Sequence, residues 1–236
     1  MRTYRLRSGR FQERPYFKDE DIESICLSEL QKVQLLPSSP APIRIDRFIE
    51  KRFGVSHQYE DLTDGILGLT VFGKKGVEAV IVARALDDEG TKVADRRIRS
   101  TLAHEAGHGL LHVHLFGLQQ NSEPLFGDFS DPLKPRVLCR DVIAADDKPK
   151  PGYDGRWWEF QANCAMGCLL LPRTLVEHVL QPYFVARGQL GTITLDAARR
   201  SEAGRCVSDA FDTNPIVARL RIDRLYPASN EKQLSL

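Results

Sequence analysis

The first part of the chain shows hydrophobic residues that recur with the period of a helix. One run follows an acidic group at residues 19–23 and ends before a proline-rich segment at residues 36–42. Its spaced hydrophobic residues are Ile22, Ile25, Leu27 and Leu30. A second run, residues 43–53, has its hydrophobic residues on one side and is followed by Gly54, a typical helix stop. The pattern predicts two helices joined by a proline-rich linker.

Two runs of apolar and β-branched residues follow, at residues 65–72 and 77–86. A glycine-bounded segment at residues 73–76 joins them, which favours a β-hairpin. If this hairpin presents an edge, an extended peptide could add to it as a further strand. The combination of helices and a hairpin predicts an α+β fold.

Composition and charge narrow the class of protein. The 236 residues include 33 Lys and Arg against 32 Asp and Glu, and 42% of residues are hydrophobic. This balance is typical of a globular protein and excludes a general polycation, so nucleic-acid binding would need a local basic patch. Residues 1–18 carry six basic side chains and one acidic side chain. We favour a solvated arm there over a nucleic-acid contact.

The chain has no run of 18 apolar residues, and its first residues are charged where a signal peptide would be apolar. Its five cysteines are scattered and form no CxxC pair. Such cysteines are typical of reduced thiols in a reducing compartment. We therefore expect a cytoplasmic protein that has no membrane contact.

The strongest chemical pattern is the segment HEAGH, which begins at His104. Asp95 is a candidate helix N-cap, and apolar residues recur at helical spacing up to Gly117, so we expect a helix enclosed on both sides. On that helix His104 and His108 lie one turn apart and about 40° round the axis, so both imidazoles can reach one ion. Glu105 projects beside the pair, where it can take a proton from a water at the metal without being a ligand.

A catalytic zinc needs a third protein ligand and an open position for water. Glu159 is the candidate, and it lies near the start of a second apolar helix that Pro172 breaks. Asn163 falls one turn after Glu159 on the same face, where its amide could orient a ligand histidine or Glu159. We therefore expect zinc to be bound by His104, His108 and Glu159.

Two other ligand sets stay open at this point. Cys164 and Cys168 could join the two histidines in a closed structural zinc site, because thiolates are good zinc ligands. Both lie roughly 140° to 180° round the helix from Glu159, on the face expected to pack into the core. His112 could replace Glu159, but a straight helix places it roughly 12 Å along the axis from His104. We favour His112 as a neighbour of the site.

Two segments together resemble a known family. Residues 97–112, RIRSTLAHEAGHGLLH, resemble the RxRFTLAHELGHLLLH segment of the ImmA/IrrE metallopeptidases of bacteria, phages and mobile elements. Residues 159–172, EFQANCAMGCLLLP, resemble the ExxANxFAxxLLMP segment of that family. A weaker similarity extends over residues 43–224. The departures are a long stretch of about forty residues between the two motifs and the residues Ser100, Cys164 and Gly167.

The resemblance implies a zincin-like fold, a small β-sheet with an active-site helix and a ligand helix. It implies that zinc is held by His104, His108 and Glu159 and that Glu105 is the general base. It also implies a helix-turn-helix-like tail. We accordingly divide the chain into three units, namely an arm, helix and linker (1–42), the metallopeptidase domain (43–188) and a C-terminal helical subdomain (189–236).

The C-terminal residues are predicted to form short helices that begin near Leu195, Cys206 and Pro215. Asn214 is a good N-cap for the last of these helices. The tail also carries three arginines that could contact phosphates, Arg219, Arg221 and Arg224. We favour structural packing for them because Asp223 lies among them.

The leading hypothesis is a zinc-dependent endopeptidase that cleaves a specific protein. The resemblance suggests a helix-turn-helix transcriptional repressor as the substrate. One alternative is a regulator that contains zinc without proteolysis and binds DNA or a partner protein. Another is an unrelated zinc hydrolase, since HExxH indicates a mechanism and not a substrate. The stretch between the motifs could form a substrate lid. The candidates for stabilising the oxyanion are Tyr153, His112 and His114.

Overall fold

The computed structural model describes residues 2–5, 13–73, 75–117, 136–140, 157–187 and 192–227. The fold is α+β, as predicted. The strands are β1 (Arg2–Arg5), β2 (Glu13–Tyr16), β3 (His57–Glu60), β4 (Ile66–Gly73), β5 (Gly76–Ala83), β6 (Arg136–Arg140), β7 (Phe184–Arg187) and β8 (Thr192–Leu195). The helices are α1 (Asp19–Lys32), α2 (Ile45–Phe53), α3 (Arg84–Asp88), α4 (Lys92–Leu111), α5 (Val113–Gly117), α6 (Trp157–Leu170), α7 (Arg173–Leu180), α8 (Arg200–Ala210) and α9 (Pro215–Leu225).

The two helices predicted in the first part of the chain are α1 and α2. Ile22, Cys26 and Leu30 form the buried side of α1. α2 ends at Gly54, whose φ of 73° lies in the left-handed region that favours glycine. Both predictions are therefore confirmed.

The predicted hairpin lies inside a four-stranded sheet. β4 and β5 pair antiparallel, which confirms the hairpin, although β5 ends at Ala83 because α3 begins at the next residue. The strand order is β3-β5-β4-β6, with β3 parallel to β5 and β6 antiparallel to β4. β6 pairs with Ile66–Val71 of β4, whereas β3 pairs only with Val80–Ala83 of β5. Among the described strands, none pairs with Gly76–Ala79 of β5 on its outer side, so peptide addition there stays a prediction.

One face of β4 packs against α4. Thr70 is fully buried and its hydroxyl contacts Glu105. A Cβ on Gly68 would lie 2.5 Å from Thr101 Cγ2 and 3.3 Å from a carboxylate oxygen of Glu105, so the close approach of strand and helix requires glycine. On the other face of the sheet, a smaller cluster contains Ile66, Leu69, Val71 and Ile81.

α4 begins one turn earlier than predicted. Thr91 is its N-cap, and the Thr91 hydroxyl accepts a hydrogen bond of 3.1 Å from the backbone N–H of Ala94. The prediction that Asp95 is the N-cap is therefore wrong. Asp95 lies in the first turn, where a carboxylate interacts favourably with the helix dipole.

The helix predicted to continue to Gly117 is two helices. α4 ends at Leu111, and α5 begins at Val113 after a break at His112. Most residues between Ile98 and Leu111 are buried, because α4 lies between the sheet and α6. The expectation of a helix enclosed on both sides is confirmed.

One large hydrophobic cluster joins elements from α1 to α9. It includes residues of α1, α2, α4, α6, α7, α8 and α9, with Leu30, Leu102, Leu169 and Ile222 as representatives. All three predicted units contribute to this cluster, and the boundaries between them stay a prediction.

The first two C-terminal helices differ from the prediction. Leu195 is the last residue of β8 and α8 begins at Arg200, so the short helix predicted from Leu195 is wrong. Cys206, where a separate helix was predicted to begin, lies in the middle of α8. Asn214 is the N-cap of α9, as predicted, since its side-chain oxygen accepts a hydrogen bond of 2.9 Å from Ile216 N–H. β1 and β2 pair antiparallel within the segment predicted to be an arm.

Candidate metal centre

Two histidines of α4 converge from successive turns. The Nε2 atoms of His104 and His108 lie 3.0 Å apart, and the two residues are 1% and 0% exposed. Their spacing of four residues places both rings on one side of the helix. Two buried imidazole nitrogens at this distance share either a hydrogen bond or a common partner such as a metal ion.

Glu159 reaches this pair from α6. Its Oε2 atom lies 3.1 Å from His104 Nε2 and 3.5 Å from His108 Nε2. The two helices come close because Gly107 of α4 faces Ala162 and Ala165 of α6, where a Cβ would lie 3.0 Å from atoms of both. The structure therefore brings together the three predicted ligands from two helices.

The three atoms have the spacing of a metal site. Ligand atoms at two corners of a tetrahedron round zinc, each about 2.0–2.1 Å from the ion, are about 3.3 Å apart. The observed separations of 3.0, 3.1 and 3.5 Å lie close to that value. Among the described residues, this trio forms a group of candidate metal ligands.

Two amide side chains of α6 complete the outer contacts of the histidines. Asn163 Oδ1 lies 2.9 Å from His104 Nδ1, so the amide predicted to orient a ligand contacts His104. The Nδ1 atom of His108 lies 2.9 Å from Nδ1 of His112. His112 Nε2 in turn lies 3.0 Å from Gln161 Oε1.

His112 therefore lies behind His108, as expected of a neighbour of the site. It is fully buried, and its ring makes an edge contact with Trp157 at 5.8 Å between centroids. Sequence analysis missed Gln161, although this residue stands between Glu159 and Asn163 in the second motif.

Burial and the neighbouring groups set the protonation states of the ligands. Burial lowers the pKa of His108, and lowers that of His112 still further below its ordinary value. Burial alone would raise the pKa of Glu159, but the charge of His108 and the hydrogen bonds with both α4 histidines hold that pKa below its usual range. A carboxylate and neutral imidazoles are the forms that bind a metal.

Glu105 lies next to this group and is also fully buried. Thr70 donates a short hydrogen bond to its Oε2 atom, whereas Oε1 has no hydrogen-bond partner among the described residues. Burial raises the pKa of Glu105 to about 8, against the lowering effects of His104 and Thr70. Thr70 was also missed by sequence analysis, because it comes from a strand distant in the chain.

The two cysteines of the alternative zinc site lie elsewhere. The Cys164 thiol donates to the backbone oxygen of Phe160 at 2.9 Å. Cys168 contacts Glu23 and Arg221, each at 3.4 Å from its sulfur. Neither sulfur belongs to the converging ligand group.

Two of the three tail arginines bind residues of α1, whereas Arg219 is exposed. Arg221 is buried and forms an ion pair with Glu23, and Arg224 forms one with Asp19. Both contacts agree with the expected packing role. Tyr153 and most of the stretch between the two motifs lie outside the described residues, as do the side chains of residues 1–16.

Comparison of the chain with protein-family models, curated proteins and solved structures found no match. Within the described part of the chain, every helix is too short or too polar to cross a membrane.

Proposed function

We propose that the chain is a zinc-dependent endopeptidase of the ImmA/IrrE type. The observation that carries this proposal is the convergence of His104 Nε2, His108 Nε2 and Glu159 Oε2 within 3.5 Å of one another, beside a buried glutamate. Two nitrogens and one carboxylate oxygen are a common protein ligand set for catalytic zinc, which leaves the fourth position to water or substrate.

Glu105 is the general base in this proposal. Zinc, when bound, supplies a Lewis acid that polarises the scissile carbonyl and lowers the pKa of the attacking water. Thr70 holds Oε2 of Glu105, and Oε1 takes the proton of the water and passes it to the leaving amine.

The resemblance of the two motifs supports a protein substrate, and we propose a helix-turn-helix repressor in the cytoplasm. The ion pairs of Arg221 with Glu23 and of Arg224 with Asp19 weigh against the DNA-binding alternative. Both guanidinium groups are used inside the protein, and phosphate binding requires clustered basic groups on the surface.

The proposal is tested by zinc content and cleavage on the same preparations. We expect about one zinc per wild-type chain, marked loss in Glu159→Ala, and retention in Glu105→Gln together with a cleavage rate lowered by about 10²-fold or more. Glu202→Ala, which removes a carboxylate exposed on α8, is the matched control and should keep both properties.

Cleavage is measured against the repressor encoded nearest to the gene of this protein, as purified protein. A Glu105→Gln protein that cleaves as fast as the wild type would refute the general-base assignment. Full zinc in Glu159→Ala would refute the ligand assignment.

A further inference from the structure

Two consecutive hydrogen bonds connect Gln161 of α6, through His112, to the proposed metal ligand His108. Gln161 Oε1 contacts His112 Nε2 at 3.0 Å, and His112 Nδ1 contacts His108 Nδ1 at 2.9 Å. The far side of the His108 ring carries Nε2, the atom that faces Glu159. His104 needs no such intermediate, because Asn163 contacts its Nδ1 directly.

Each of these two hydrogen bonds has a direction. A neutral imidazole carries one N–H and one acceptor nitrogen, and an amide oxygen can only accept. The oxygen of Gln161 therefore requires the proton of His112 on Nε2. The Nδ1 atom of His112 is then an acceptor, and His108 must place its own proton on Nδ1 to complete the contact.

We propose that Gln161 is a positioning residue that acts through His112 to fix His108 as the Nδ1–H tautomer, with the Nε2 lone pair toward the metal site. This inference rests on the zinc site of the proposed function but concerns a different property of the protein. Without an acceptor at position 161, the opposite arrangement becomes available. His112 would donate from Nδ1, and His108 would carry its proton on Nε2, which must be free of a proton to bind zinc.

Burial makes the arrangement strict. His108 and His112 are 0% exposed and Gln161 is 4% exposed. A buried N–H that loses its acceptor is not compensated by bulk water, so the protons reorganise to keep a partner. The orientation of the Gln161 amide thus decides which atom donates in both hydrogen bonds, the one between Gln161 and His112 and the one between His112 and His108.

The test reads the tautomers by long-range ¹H–¹⁵N NMR of the full-length protein after removal of metal with a chelator. In the wild type we expect a proton on Nδ1 of His108 and a proton on Nε2 of His112. A second proton on Nε2 of His108, shared with Glu159 Oε2 when no metal is bound, agrees with this expectation. Gln161→Met, of similar size but without an acceptor, should shift His108 toward the Nε2–H form. Gln181→Met is the matched control, since Gln181 is exposed and outside the site, and it should leave the wild-type pattern unchanged.

The zinc dissociation constant gives a second readout by competition with a chromogenic chelator. Loss of an outer partner of a ligand histidine weakens metal binding by about 10- to 100-fold, and we expect this in Gln161→Met and not in Gln181→Met. An unchanged dissociation constant in Gln161→Met, with the fold retained, would contradict the proposal.

The wild-type spectrum alone tests the proposed tautomers, even if Gln161→Met does not fold. A wild-type His112 with its proton on Nδ1, or a wild-type His108 without a proton on Nδ1, would overturn the proposal. The tautomers of the metal-free protein do not depend on peptidase activity. A protein with the expected tautomers that cleaves nothing would therefore count against the proposed function and leave this inference standing.

Discussion

The contact between α4 and α6 should be highly sensitive to one added methyl group at Gly107. An alanine Cβ there would lie 3.0 Å from the backbone oxygen of Ala162, 3.0 Å from Cβ of Ala165 and 3.2 Å from Cα of Ala162. None of these atoms belongs to a side chain that can rotate away. Gly107→Ala can be accommodated only if the two helices move apart.

The magnitude follows from two opposing effects. Alanine in place of glycine in a helix stabilises by about 0.5–1 kcal/mol. Overpacking a tight contact costs about 1–3 kcal/mol, and relief to an ordinary carbon contact of about 3.5–4.0 Å needs a shift of roughly 0.5 Å or more. We therefore expect Gly107→Ala to lower the free energy of unfolding by about 0–2.5 kcal/mol, where an unhindered alanine would raise it.

Gly204 in α8 provides the matched control. A Cβ at Gly204 would meet no atom within 4 Å. Gly204→Ala should benefit from the higher helix propensity of alanine without any steric cost, and it should raise the free energy of unfolding by about 0.5–1 kcal/mol. Urea unfolding of both metal-free variants beside the wild type measures the difference. If Gly107→Ala is as stable as Gly204→Ala, the description of the interface between α4 and α6 is wrong.

The same substitution should weaken the metal site. His104 and His108 come from α4 and Glu159 comes from α6, so a separation of the helices changes the distances between them. Metal–ligand distances tolerate deviations of about 0.2 Å, less than the shift expected here. Zinc affinity should therefore fall in Gly107→Ala and stay unchanged in Gly204→Ala.

Three other predictions concern stability and rate. Because burial raises the folded-state pKa of Glu105 to about 8, the metal-free protein should lose about 1 kcal/mol of stability between pH 7 and 8, and Glu105→Gln should remove that loss in urea unfolding at each pH. Thr70→Val removes the hydrogen bond to the Glu105 carboxylate and should lower the cleavage rate by about 10-fold with zinc content unchanged. Arg221→Met leaves Glu23 without its buried partner and should lower the free energy of unfolding by about 2–4 kcal/mol, part of which Glu23→Gln should restore in the double variant.

The ligand trio could be predicted from the sequence because its spacing is local. His108 is four positions after His104 on one helix, and this spacing fixes their shared face before any tertiary structure is known. Glu159 could be proposed from the chemistry of zinc together with the second motif. The sequence predicted that α4 and α6 are both apolar, but it did not predict where the two helices touch.

Thr70 and Gln161 could not be found in this way. Thr70 reaches Glu105 only because β4 packs on α4 with Gly68 at the crossing, a tertiary contact that no local pattern specifies. Gln161 is two residues from Glu159, so a helix places it about 200° round the axis, away from the expected ligand face. Its contact with His112 depends on how α4 and α6 cross and on the end of α4 at Leu111.

The outer partners of the histidines also determine the charge at the candidate centre. Asn163, which contacts His104 Nδ1, is neutral, so this outer partner adds no negative charge to the site. A carboxylate in that place would make the ligand histidine more basic and reduce the positive charge that acts on the attacking water. We therefore expect Asn163→Asp to bind zinc at least as tightly as the wild type and to cleave more slowly. Zinc competition and the cleavage rate at saturating substrate measure the two effects, and faster cleavage by Asn163→Asp would show that neutral partners are not what the reaction requires.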